Sequence, residues 1–203
     1  MTAPAPPSTA KGKATWARLV ACARAEAIRT GGTVEIAPVA EAAGVVPSLV
    51  NRYFGSKAGL VSAVVDDFFD RLHAQVLNID LDSAGDWATH ERLRLEQGVQ
   101  FHYADPFAVV LYTQLSRDPL VARTETERIE IVIQHAAHNI RRGQQRGELP
   151  AHIDPEFAGA AMFGAMRQVM VAAMRRRRRP RPEQLVGMLW PQVAAAVGLK
   201  PEI

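Results

Sequence analysis

Between Ala40 and Pro47 the chain reads AEAAGVVP, and this stretch narrows the folds open to it more than any other. Two short helices cross steeply only where their contact residues are small and the link accepts a left-handed backbone. Ala40 and Ala43 supply the small contact, and Gly44 can take a positive φ without a Cβ clash. Pro47 suits the first position of a helix, where its φ is already set and its missing N–H costs nothing. The pattern predicts short helices over about Ile36–Ala43 and Pro47–Phe54, broken at Gly44. Ile36, Val39, Val45 and Val50 fall where a three-helix core needs apolar groups, and Phe54 closes its end. The outer face of the second helix then presents Ser48, Asn51 and Arg52, with Tyr53 near its end. Such groups bond phosphates or base edges.

Helical punctuation recurs along the rest of the chain, without alternating β-branched runs joined by hairpin turns. A first helix is expected over about Thr15–Arg29, with Trp16, Leu19, Val20, Ala23 and Ala27 on one stripe and Gly31 or Gly32 as its stop. Ser56 is a good cap for a fourth helix running to about Leu77. Further helices are predicted over about Trp87–Tyr103 and Ala122–Arg146. Asp105-Pro106 and Asp154-Pro155 each read as a cap followed by a first-position proline, opening helices to about Leu115 and Arg177. Pro182 opens the last helix, which Pro191 is expected to kink or interrupt. The first of the two short helices, from Ile36, lacks an obvious cap, Thr33 being the nearest candidate.

Charge is unevenly spread. Residues 1–60 carry seven Lys/Arg against three Asp/Glu, whereas residues 61–203 carry 17 against 18. A basic N-terminal segment on a more acidic body fits a phosphate-facing head. The Pro- and Ala-rich start, MTAPAPPSTAKGKA, has no apolar core of a signal peptide and reads as a disordered tail over residues 1–13. A single cysteine, Cys22, forms no internal disulfide and offers no cysteine-based metal site. No run of about 20 continuous apolar residues suggests a membrane span, and a cytoplasmic protein is expected.

The segment from about Ala14 to Asp70 resembles the DNA-binding domain of TetR-family regulators. The resemblance rests on a short helix ending AEAAGV (Ala40–Val45), a next helix ending Tyr53-Phe54, then Ser56-Lys57 and an apolar fourth helix. It implies that the helix from Pro47 enters the major groove. Tyr53 and Lys57 then bind backbone phosphates, while Pro47, Ser48, Asn51 and Arg52 face DNA. One argument for Lys57 is independent of the family. A cation in a helix's first turn opposes the helix dipole by about 0.3–1 kcal/mol, but beside a phosphate it becomes favourable. The expected architecture is all-α: a helix-turn-helix head over residues 14–56 and a ligand-binding and dimerisation bundle over 57–203.

The body is less legible. Pro155–Met174 is apolar nearly all round, so it must be covered on several sides. Met162, Phe163, Met166 and Met170, with Leu189, Trp190 and Val193 of the last helix, are assigned to a homodimer interface, since a two-fold operator asks for a symmetric dimer. Phe101, His102, Tyr103, Phe107, Tyr112 and His135 are candidate ligand contacts, because small-molecule sites are apolar with a few polar groups. His135 and His138 stand three apart but have no carboxylate at matching spacing, so no metal is assigned. The run Arg175–Arg179 is read as a solvated loop after a helix end.

These readings lead to a DNA-binding regulator: a repressor released from a pseudo-palindromic double-stranded operator by a small-molecule effector, with no cofactor. An activator or architectural DNA binder without a ligand is the alternative. An enzyme is not expected, since no nucleophile–base pairing, phosphate-cradling glycine loop or metal cluster is found.

Overall fold

A computed structural model describes residues 7–78, 85–115 and 118–200, and among these all regular structure is helical. The chain forms two compact units. The first takes in Met1–Asp70 and Pro106–Arg128, and the second Arg71–Asp105 and Ile129–Ile203. This differs from the expected division after residue 56, because most of the fourth helix packs with the head and does not leave it at Lys57. Residues 1–6 of the expected tail lie outside the described residues, but Ala10–Lys13 are helical.

In the first unit, helix α1 (Ala10–Thr30) begins earlier than its apolar stripe suggests, because the Thr9 side chain accepts the Gly12 N–H at 3.1 Å. Leu19, Val20, Ala23 and Ala27 form its buried stripe, and it stops at Gly31 in the left-handed region. Helices α2 (Ile36–Ala42) and α3 (Pro47–Phe54) follow. Glu35, not Thr33, stands at the start of α2, and its side chain makes no capping bond there. Between them Gly44 has φ 64°, and a Cβ at that position would meet nothing within 4 Å. Glycine is therefore needed for its backbone and not for space. Ala40, Val39 and Val50 are fully buried, and Phe54 stacks obliquely on Trp16 with ring centroids 4.2 Å apart.

Helix α4 (Lys57–Leu72) starts where Ser56 Oγ accepts the Gly59 N–H at 3.0 Å. It is enclosed on nearly every side within its unit, with Leu60, Val64, Val65 and Phe68 essentially inaccessible. A π-helical turn, His73–Leu77, continues it into the second unit. Helix α6 (Phe107–Gln114) sets Phe107 and Tyr112 against Phe68, at centroid distances of 5.9 and 6.1 Å. Helix α7 (Pro119–Gln145) contributes Arg128, which donates to Asp66 at 2.7 Å and lies 2.8 Å from Asp70.

The second unit holds α5 (Trp87–Ala104), most of α7, α8 (Pro155–Met174) and α9 (Pro182–Ala196). Asp86 caps α5 by accepting the Thr89 N–H, and that bond holds its carboxyl below the usual carboxylate range. Asp154 caps α8 as expected, accepting from the Glu156 and Phe157 N–H groups. Asp105 behaves differently from Asp154. It ends α5, is buried, and its carboxylate accepts from Arg71 at 2.8 Å, so α6 begins after Pro106. Helix α9 passes through Pro191 without a break. The residue four earlier is Gly187, and both are exposed, so water can serve the carbonyl that loses its partner. By length and composition alone α8 could cross a membrane, but its inner face packs on α9 and α7. At Gly159 a Cβ would lie 3.0 Å from the Ile133 carbonyl, so the glycine sets the close α7–α8 approach. After α8, Arg179 Nε donates to the Met174 carbonyl at 3.3 Å, so one arginine of the run serves the helix end.

Gly44→Ala forces a side chain into the left-handed region, a penalty of about 1–2 kcal/mol partly offset by a stiffer unfolded chain. Urea unfolding should show a net loss of about 1 kcal/mol, and Gly44→Asn should lose less. An unchanged midpoint for Gly44→Ala would remove the positive-φ requirement.

Candidate nucleic-acid interface and internal cavity

Helix α3 divides cleanly between an inner and an outer face. Val50 and Phe54 are buried, with Leu49 and Tyr53 partly so, whereas Pro47, Ser48, Asn51 and Arg52 are exposed. Turning one face inward fixes the other outward, because residues three and four apart share a side of a helix. Tyr53 is held at the rim: its ring meets Trp16 edge-on at 6.3 Å, and the Arg52 guanidinium lies 5.7 Å from its centroid. The six residues expected at a DNA surface thus share α3 and the first position of α4, and five of them are exposed.

Lys57 brings a feature the sequence reading missed. Its Nζ donates to Glu35 Oε1 at 3.0 Å, and both side chains are about half exposed. Glu35 stands at the N-terminus of α2, where a carboxylate suits the helix dipole. The pair holds the Lys57 amine between the starts of two helices. A phosphate arriving there would meet a cation, helix N-termini and one opposing carboxylate. Val46 also belongs to this surface: it precedes α3 and is 63% exposed.

The second unit contains a partly open cavity of about 70 Å³. Its wall is drawn from Leu72 of α4, Val76 and Leu77 of the π turn, α5, α7, α8 and Val193 of α9. Of the six expected ligand contacts, only His135 lines it. Phe107 and Tyr112 are instead part of the first unit's core, against Phe68. Phe101 lies under the Arg71 guanidinium, His102 is buried with Nδ1 2.7 Å from the Gly98 carbonyl, and Tyr103 donates to the Pro180 carbonyl at 3.0 Å. Burial pushes the His102 imidazole down in pKa. These five serve the packing of their own units, a use that aromatic spacing alone does not distinguish from ligand binding.

The polar side chains at the cavity are Glu91 and Arg94 of α5 and His135 and Asn139 of α7. Arg94 donates through Nη1 to Glu91, one helical turn away. Arg94 Nε, His135 Nε2 and Asn139 Nδ2 are buried without a hydrogen-bond partner. Burial, reinforced by the charges of Arg94, His73 and His138, lowers the His135 pKa to about 4, while the Leu77 carbonyl opposes the shift. His135 is therefore neutral near pH 7. His73 is its ring neighbour, edge-on at 6.0 Å, and His138 on the same helix is exposed. Arg94 and Asn139 were invisible as site residues in the sequence. Their one available signal was a polar residue beside the apolar positions Leu95 and Ile140.

The residues expected at a dimer face lie largely inside their own chain. Met162, Phe163, Met170, Leu189 and Val193 are buried by their own unit, and Met166 and Trp190 are partly covered. Four of these seven, Met162, Phe163, Met166 and Val193, line the cavity. Trp190 lies beneath the Arg92 guanidinium at 6.0 Å. What α8 and α9 expose is a different set: Phe157 at 79% and Met188 at 53%, with Ala160, Ala161, Gly164, Ala172 and Gly187. The large residues turn inward and mostly small ones outward, which an all-apolar helix does not announce.

Residues 22–64 match the bacterial regulatory proteins of the tetR family. No match is found among curated proteins. Among solved structures, GusR of Salmonella enterica is similar at a TM-score of 0.74 and 16% identity, covering 92% of this chain and 96% of that one. NalD, the secondary repressor of the MexAB-OprM multidrug efflux pump in Pseudomonas aeruginosa, is similar at 0.70 and 15% identity, covering 91% and 98%. AibR, solved in complex with isovaleryl coenzyme A and operator DNA, is similar at 0.68 and 14% identity, covering 93% and 100%. At these identities the likeness is one of fold, and the family rests on the matched head. The match places a tetR-family helix-turn-helix head at residues 22–64 of an all-helical chain.

Proposed function

We propose that the chain is a homodimeric repressor that holds a pseudo-palindromic operator until a small molecule enters the cavity of its second unit. The observation that carries this reading is a single helix with two ends. Helix α4 begins at Lys57 on the exposed DNA-facing surface and ends at Leu72 in the cavity wall. An occupant that displaces Leu72 acts on the element that positions Lys57. For release, the effector must bind the DNA-free arrangement better, by the coupling energy it exerts. Supporting company comes from AibR, whose structure holds both an acyl coenzyme A and operator DNA. A cavity of about 70 Å³ asks for a much smaller effector here.

Pro47, Ser48, Asn51 and Arg52 supply the groove-facing surface, and Tyr53 and Lys57 the phosphate contacts. Because Glu35 opposes an incoming phosphate, the two partners of the ion pair are expected to act in opposite directions. Lys57→Ala should weaken operator binding and flatten the log–log salt slope by about 0.9. Glu35→Gln should tighten binding by roughly threefold at low salt, within the range of an exposed ion pair. Fluorescence anisotropy across a salt series reads both. Unchanged affinity and slope for Lys57→Ala would remove its phosphate role.

The exposed stripe on α8 and α9 is the face assigned to a second copy, the two chains pairing these helices about a two-fold axis. Ala160, Ala161 and Gly164 permit close helix approach, and Phe157 and Met188 provide the large apolar contacts. Phe157→Asp combined with Met188→Asp should convert a dimer to a monomer in light scattering and weaken operator binding. Met170, buried in its own unit, would be the wrong target: Met170→Ala should destabilise the chain by about 2–5 kcal/mol without acting specifically on the dimer. A double variant that stays dimeric would place the interface elsewhere.

A further inference from the structure

The cavity is apolar over most of its wall and polar where α5 and α7 meet it, with three unpartnered groups there: Arg94 Nε, Asn139 Nδ2 and His135 Nε2. Buried polar groups in native proteins are nearly always hydrogen-bonded, so three such atoms around one cavity describe an occupant. Their polarity is specific. Arg94 Nε–H and the Asn139 amide nitrogen can only donate. The Leu77 carbonyl takes the hydrogen of the other His135 nitrogen, which leaves Nε2 of the neutral ring as an acceptor. The occupant must therefore offer an acceptor oxygen to two donors and a hydrogen to His135. Water could meet either demand, but the apolar remainder of the wall favours an aliphatic group over water.

Resting on the effector reading above, we propose that this cavity binds a short-chain aliphatic carboxylic acid. Its carboxyl group lies on Arg94, Asn139 and His135, and its alkyl chain among Leu95, Met162 and Phe163. A carboxyl group meets both demands on one carbon. Size sets the class further. An apolar cavity of about 150 Å³ accepts benzene, so about half that volume suits a chain of about three carbons. Met162 and Met166, flexible and unbranched, can yield for the remainder.

Charge balance says how the acid is held. The Arg94 charge is already matched by Glu91, so a bare carboxylate would add one uncompensated negative charge to a buried site. It would also set an oxygen lone pair against that of His135 Nε2. One proton shared between ligand and ring removes both conflicts. The groups facing His135 are Glu91 and Arg94 from α5, His73 from the π turn, and His138 and Asn139 from its own helix; α8 and α9 contribute apolar wall only. Binding therefore takes up one proton near neutral pH and strengthens as pH falls toward the range where the free acid and the ring protonate.

Calorimetry on the full-length chain with sodium propionate, without DNA and in two buffers of different ionisation heat, tests this directly. Saturable one-to-one binding with uptake of about one proton is expected. Propionamide and 1-propanol should bind at least roughly tenfold more weakly, for want of the charge-assisted bonds. Asn139→Leu should weaken propionate binding by roughly tenfold while leaving thermal stability equal or higher, since it removes an unpaired buried amide. His135→Gln should abolish the proton uptake. No saturation by roughly 10 mM, equal binding of the amide, or an unaffected Asn139→Leu variant overturns the assignment. Operator anisotropy separates this from the repressor reading. Propionate that binds without releasing DNA keeps the site and overturns its effector role, whereas release by another class with no propionate binding does the reverse.

Discussion

The close crossing of α2 and α3 is the constraint on which the DNA-facing surface depends. It exists because Ala40 and Ala43 are small and buried and because Gly44 reverses the chain at φ 64°. With that angle set, Val50 and Phe54 must turn inward against Val39 and Trp16, and the opposite side of α3 must face out. Ser48, Asn51 and Arg52 are exposed as a result of packing on the other face. The same packing places Tyr53 at the rim, half-buried with its ring edge-on to Trp16.

This part of the molecule was legible in the sequence because each signal was local. A positive-φ glycine, a first-position proline and alternating faces over two helical turns need no distant partner to be interpreted. The helices bounded by caps, such as α8 after Asp154, were legible for the same reason. Asp105 shows the limit. It carries the same Asp-Pro signature as Asp154, but Arg71, 34 residues earlier, engages its carboxylate. A distant ion pair decided between two readings that the local sequence could not separate.

The body failed to be legible for a related reason. Helix α8 is apolar around most of its circumference, so its pattern names no inner face. Size resolved the matter in three dimensions: Met162, Phe163 and Met170 fill the interior, while Ala160, Ala161 and Gly164 are left outside. The aromatic residues of α5 and α6 carry the same ambiguity. Phe101 and Phe107 are only six positions apart, but they belong to different units. His135 was among the expected residues and its cavity neighbours Arg94 and Asn139 were not, because a lone polar residue on a helix is ordinarily solvated.

Those three polar groups also set the energetics of the cavity. A buried donor or acceptor left unpaired costs about 1–3 kcal/mol, a large share of a typical domain's stability. An occupant that satisfies them recovers that energy only in the arrangement where all three converge. Binding and conformation are thereby linked. Under the proposed effector reading, a ligand need not push α4; it needs only to favour the arrangement in which Arg94, Asn139 and His135 reach one carboxyl group. Leu72 of α4 belongs to the wall around that group, so the arrangement that fits the ligand also fixes one end of α4. At its other end Lys57 pairs with Glu35, so under the proposed effector reading a modest shift in preference decides whether that carboxylate or a phosphate holds the amine.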